Sequence, residues 1–140
     1  MNPALQPRWL TLFTGLAGLS DTSTGLLLVF FPEWTFSLMR VQQMPPPVFG
    51  SYIGVFVLGV GLTYFYAVWQ PLAAGSVVRW QTVWFFTALS RSLVAALVLW
   101  KCASGALDAA WLSVAATDAT LATIQWIGLA RGWLVHAVRK

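Results

Sequence analysis

Four long stretches of the sequence are almost purely apolar: Trp9 to Phe31, Val48 to Trp69, Trp80 to Trp100 and Ala109 to Ala130. A helix rises about 1.5 Å per residue, so about 20 apolar residues match the roughly 30 Å hydrocarbon layer of a bilayer. Within that layer the backbone must satisfy its own hydrogen bonds, which restricts a chain like this to helices. The expected fold is therefore all-α: a polytopic membrane protein forming an antiparallel bundle of four transmembrane helices. The spans take up most of the 140 residues, leaving one domain, 1–140. Pro32, Pro45-Pro46-Pro47, Gln70-Pro71 with Gly75-Ser76, and Ala103-Ser104-Gly105 punctuate the intervals between them. Such short connections make neighbouring helices antiparallel.

Charge is correspondingly scarce. Only 9% of residues are charged, against about 25% in a soluble domain, which excludes a soluble globular fold. The net charge of +4 comes from Lys and Arg placed singly along the chain, so there is no basic stripe and no nucleic-acid partner is expected. One cysteine, Cys102, allows no internal disulfide, and one histidine, His136, lies in the basic tail. No protein-ligated metal and no cofactor are expected from so few ligands.

The basic residues act as topological markers. Arg8, Arg79, Arg131, Arg139 and Lys140 fall on the side shared by the two termini, and Arg40 and Lys101 on the other. That asymmetry predicts an integral protein of a bacterial cytoplasmic membrane with both termini in the cytoplasm. Tryptophan gives the same levels, with Trp9, Trp69, Trp80 and Trp133 in an inner belt and Trp34, Trp100 and Trp111 in an outer one. The first span is too long for a signal-peptide core and is followed by no small-x-small cleavage site, so it is expected to stay in the mature protein. Glu33 to Met44 mixes Trp34, Phe36, Leu38, Met39 and Val41 with Arg40 and two glutamines. It reads as a short interfacial helix beginning at Pro32. No internal repeat relates the two helix pairs, so an inverted-repeat transporter is not supported.

Twelve residues are charged, eight basic and four acidic, and nine of them fall at span ends or in loops. Asp21, Arg91 and Asp118 do not: each lies within one or two residues of the centre of its span. Alternating helix direction brings all three to one depth. An isolated charge there costs about 2.5–3.5 kcal/mol on the insertion scale, so the three are expected to face one another. With two acids and one base, one acid is expected to pair with Arg91 while the other carries a proton and can donate it.

Helical spacing supports inward-facing stripes. Gly15, Gly18, Asp21, Thr22 and Gly25 share a face of the first span, and Trp84, Thr87, Ala88, Arg91 and Ala95 one of the third. Trp111, Ala115, Asp118, Leu121, Ala122, Gln125 and Gly128 share one of the fourth. In the second span the expected inner face is Tyr52, Phe56, Gly59 and Thr63, while Gly50 and Gly54 supply a GxxxG step open to self-association. The run Ser20-Asp21-Thr22-Ser23-Thr24 suggests a hydrated or ligand-lined stretch.

The segment Gly25-Leu26-Leu27-Leu28-Val29-Phe30-Phe31-Pro32-Glu33, joined to four short-looped spans, resembles the DoxX-like group of small four-helix membrane proteins. That resemblance implies a compact bundle and, for some members, association with quinone- or thiol-linked redox systems. It carries over no catalytic residue.

The leading expectation is a membrane-embedded, enzyme-like site for a lipophilic small molecule such as an isoprenoid, terpenoid, quinone or sterol-like compound. Asp21, Asp118 and Arg91 would run metal-free acid–base proton transfer, as in isomerisation or cyclisation. Thr22, Tyr52, Phe56, Trp84, Thr87 and Gln125 would line the substrate, the aromatic faces stabilising a developing cation. A non-catalytic quinone- or lipid-binding subunit of a redox complex is a second reading, and a proton- or cation-coupled small transporter a third. The alternative to a site is a structural clamp that fixes helix register with no ligand. Expected partners are the lipid bilayer, the lipophilic molecule, and a second copy or a larger membrane complex.

Overall fold

The computed structural model describes residues 6–42 and 44–138. Arg139 and Lys140 of the basic set, and Gln43 of the expected interfacial helix, lie outside the described residues. The elements are α1 (Gln6–Phe30), α2 (Pro32–Leu38), α3 (Pro47–Val68), α4 (Val77–Ala103), a 3-10 turn (Ala109–Trp111), α5 (Leu112–Ala130) and α6 (Trp133–Val138). No strand occurs among the described residues. Three stretches, Arg8–Phe30, Pro47–Val68 and Val77–Ala103, are long and apolar enough to cross a membrane. Helix α5 is not among them, because Thr117, Asp118, Thr120, Thr123 and Gln125 dilute its apolar interior.

The helix ends follow local chemistry. Pro32 has no N–H to extend α1 and instead opens α2, where that donor would be unpaired anyway. The interfacial helix ends at Leu38, well before Met44, because Arg40 turns into the left-handed region at φ 59. Val41 N then donates to Phe36 O at 3.1 Å and Arg40 N to Ser37 O at 3.0 Å, a Schellman closure. The turn drives Val41 inward against Leu28 and Phe36, which a straight helix could not do. Gly105 closes α4 in the same way at φ 72, with Ala106 N on Lys101 O at 2.9 Å.

Helix packing falls into two tight pairs. In α1 and α3 the glycines bring backbones together: a Cβ on Gly25 would stand 2.5 Å from Leu58 N, and one on Gly61 2.6 Å from Thr22 N. A Cβ on Gly54 would meet Val29 N at 2.7 Å. These contacts climb α1 as they descend α3, so the two run in opposite directions. The Gly50–Gly54 step is therefore consumed within the chain, by Pro32, Phe36, Leu28 and Val29, and is not free to join a second copy. Helices α4 and α5 form the other pair, with Gly128 against the Trp84 ring. Between the pairs, large side chains replace glycine: Tyr64, Trp80 and Trp84 are fully buried and hold the helices apart. Since lipid tails are as apolar as leucine, this packing and the hydrogen bonds across it, not water exclusion, stabilise the assembly in a bilayer.

One cluster closes the end bearing the N-terminus, where Leu10, Tyr64, Ala67, Trp80, Trp84 and Leu134 are buried together. Helix α6 contributes Leu134 and sets Trp133 edge-on to Trp9 at 5.3 Å. A smaller cluster of Leu28, Phe36 and Val41 closes the opposite end, with Trp111 packed against it. Polar side chains occupy the level between.

Candidate functional site

Arg91 is the centre of that polar level. It projects from the middle of α4 and is only 5% exposed. Its Nη2 donates to Asp21 Oδ2 on α1 at 2.5 Å, and its Nη1 to Asp118 Oδ1 on α5. Its Nε donates to the Tyr64 hydroxyl on α3 at 3.2 Å. The three ionisable residues expected at mid-depth are thus brought together, but their pairing differs from expectation. Both acids are held by Arg91, so neither is the expected unpaired acid. The planar guanidinium presents nitrogens in several directions, which lets one base serve two carboxylates on different helices.

Each carboxylate uses one oxygen on Arg91. Asp21 Oδ1 and Asp118 Oδ2 have no hydrogen-bond partner among the described residues. Neither is sealed: the two side chains keep 13% and 14% of their surface.

A second layer of polar contacts lies on the N-terminal side of Arg91. Gln125 Nε2 donates to Thr87 Oγ1 at 2.8 Å and to the Tyr64 hydroxyl at 3.1 Å. Thr87 Oγ1 passes its own proton to Val83 O at 2.8 Å. One turn further, Trp84 Nε1 donates to Thr14 Oγ1 at 3.0 Å. Each interhelical bond of this kind contributes about 0.6 kcal/mol in a membrane, so the layer acts as a set rather than through one member.

The expected lining residues divide clearly. Gln125, Thr87 and Trp84 are buried and belong to this inner network. Thr22 instead faces α3, its hydroxyl buried against Gly61 without a hydrogen-bond partner. Tyr52 and Phe56 are 63% and 60% exposed and stack edge-on with each other on the outside of α3. They are not walls of the cluster. The reason is the phase of α3: glycine must meet α1, so Gly50, Gly54 and Gly61 set the inner face and Tyr64 and Ala67 continue it. Tyr64 is the residue that sequence reasoning missed, and its signal was its place on that glycine stripe.

Helices α1 and α5 scarcely touch. Between them runs an open groove of about 520 Å³ lined by Phe13, Leu16, Ala17, Ser20, Ala116, Thr117, Thr120 and Leu121. Ala17 lies one turn before Asp21 and Leu121 one turn after Asp118 on the same helix faces, so the groove borders the level of the two acids, neither of which lines it. Hydroxyls flanking each mid-span acid were its mark in the sequence. Among the described residues no group of three or more His, Cys, Asp or Glu side chains converges as a metal site would. No family model, curated protein or solved structure matches the chain.

Proposed function

We propose that this chain is a small integral membrane protein whose polar centre receives a lipophilic small molecule, isoprenoid or sterol-like, from the bilayer. The molecule enters sideways through the groove between α1 and α5 and meets the carboxylate oxygens that Arg91 leaves free. In this reading α5 is the fourth crossing of an antiparallel four-helix bundle with cytoplasmic termini, related to the DoxX-like group. The observation that supports it is the adjacency of a lateral groove to two acids, each with one uncommitted oxygen. Ionisable groups at mid-membrane are costly and mark function by default.

The chemistry open to such a pair is proton transfer. A free carboxylate oxygen accepts an allylic proton acidified by an adjacent electron-withdrawing group as its C–H bond breaks and the double bond migrates, and the acid so formed returns the proton to the far carbon. Substrate and product have the same composition, no co-reactant is consumed, and Arg91 holds the second carboxylate charged throughout. Isomerisation or cyclisation of an unsaturated chain belongs to this class. Incubating the protein in nanodiscs with unsaturated isoprenoids in D2O tests it by mass spectrometry. Deuterium is expected in the recovered lipid with the native protein and not with Asp21→Asn/Asp118→Asn; equal incorporation in the two would sink the catalytic assignment.

The three-way grip of Arg91 favours a second reading, in which the cluster only sets helix register in a non-catalytic lipid- or quinone-binding subunit. That reading predicts unaltered ligand binding, but lower stability, in the same variant.

A further inference from the structure

The groove beside Asp21 and Asp118 has a polarity that selects its ligand. Three lining residues bear hydroxyls: Ser20, Thr117 and Thr120. Thr117 Oγ1 already donates its proton to Ser113 O at 3.0 Å, and Thr120 Oγ1 to Ala116 O at 2.7 Å. What these two threonines present outward is lone pairs. The uncommitted atoms Asp21 Oδ1 and Asp118 Oδ2 border the groove without lining it and, as carboxylate oxygens, accept. Ser20 alone of the lining hydroxyls makes no hydrogen bond and can turn either way. The polar strip of the groove is therefore almost wholly acceptor, and a ligand that itself only accepts, such as a quinone or ketone, finds almost nothing to bind there.

Charge points the same way. Two carboxylates face one guanidinium, and no other charged side chain touches the cluster among the described residues. The formal balance is minus one, in surroundings where water does not screen it. Resting on the proposed function above, we propose that the molecule received by the groove is anchored by a protonated amine. Its ammonium sits against the free oxygen of one acid, leaving the other's for the proton transfer, and its apolar body lies along Phe13, Leu16, Ala17 and Leu121. An ammonium supplies three donors and the missing positive charge; an alcohol supplies one donor and no charge.

Three photoreactive probes of equal chain length test this in phosphatidylcholine nanodiscs: a diazirine-bearing dodecylamine, the corresponding dodecanol, and a quinone carrying the same chain. The amine is expected to label peptides containing Phe13–Ser20 and Ala116–Leu121, in competition with unlabelled dodecylamine. The alcohol should label them at least tenfold less and the quinone not saturably. Asp21→Asn/Asp118→Asn should lower amine labelling at least tenfold, and the probe series on unaltered protein carries the test if that variant does not fold. Ala116→Phe fills the groove without touching the cluster and should abolish labelling with the melting temperature unchanged. Quinone labelling equal to that of the amine, or amine labelling indifferent to the two acids in a folded variant, overturns the amine anchor and leaves the groove reading standing. Absence of saturable labelling by all three overturns both.

Discussion

Removing Arg91 and removing one of its acids are not symmetrical changes. Without the guanidinium, two carboxylates face each other and the Tyr64 hydroxyl keeps only Gln125 Nε2 of its two donors. With Asp21→Asn or Asp118→Asn, one acid still opposes one base and the amide oxygen still accepts. Arg91→Leu is expected to destabilise the protein by at least about 3 kcal/mol, as for other buried pairs that lose one partner. Either single Asp→Asn change should cost about 1 kcal/mol, nearer the value of a hydrogen bond. Unfolding by sodium dodecyl sulfate in mixed micelles measures both, and equal losses would mean that the acids, not the base, organise the centre. The meeting of Asp21, Arg91 and Asp118 was legible in the sequence because a mid-span charge has so few affordable positions. Their pairing was not, since it depends on guanidinium orientation, which helical spacing does not encode.

At the level of elements, the sequence marked where helices lie better than how they are rotated. The stripe of α4 is buried as its spacing predicts, from Trp84 through Thr87, Ala88 and Arg91 to Ala95. On α3 the aromatic residues suggested one face and the glycines another, and backbone approach to α1 decided for glycine. In lipid an exposed Tyr52 or Phe56 costs little, so aromatic content does not report the inner face as it would in water. The links between helices carry their own chemistry. Asp108 caps the 3-10 turn through Ala110 N at 2.9 Å and reaches across to Gln42 N at 2.8 Å, tying the segment after α2 to the start of α5. These backbone donors hold its carboxyl below the usual carboxylate range. A lowered value means that the contribution is complete above the unfolded-state pKa, about 3.9, and is lost as pH falls through the folded one. Melting curves of the native protein should therefore shift downward below about pH 4. Asp108→Asn should melt lower at neutral pH and lose that component of the acid shift; an identical acid profile in the variant would show that the cap contributes nothing.

The buried interior is apolar toward both ends and polar in the middle, the reverse of a soluble protein's layering. Leu10, Trp80 and Leu134 close one end, Leu28, Phe36 and Val41 the other, and the Arg91 network lies between. The proposed orientation places the end of α4 outside the cell. In a Cys102→Ser background, exposed Ser104 changed to cysteine (Ser104→Cys) is expected to react with a membrane-impermeant maleimide on intact cells. Labelling only after permeabilisation would invert the topology. The loose seam between α1 and α5 has a consequence for the bilayer itself. With α5 crossing the bilayer as proposed, a wall that the chain leaves incomplete is finished by acyl chains, so lipid becomes a building material of this protein rather than only its solvent. The two helix pairs resemble the boards of a book, pinned to each other by Arg91 on Asp21 and Trp84 on Thr14 and open only along the α1–α5 edge.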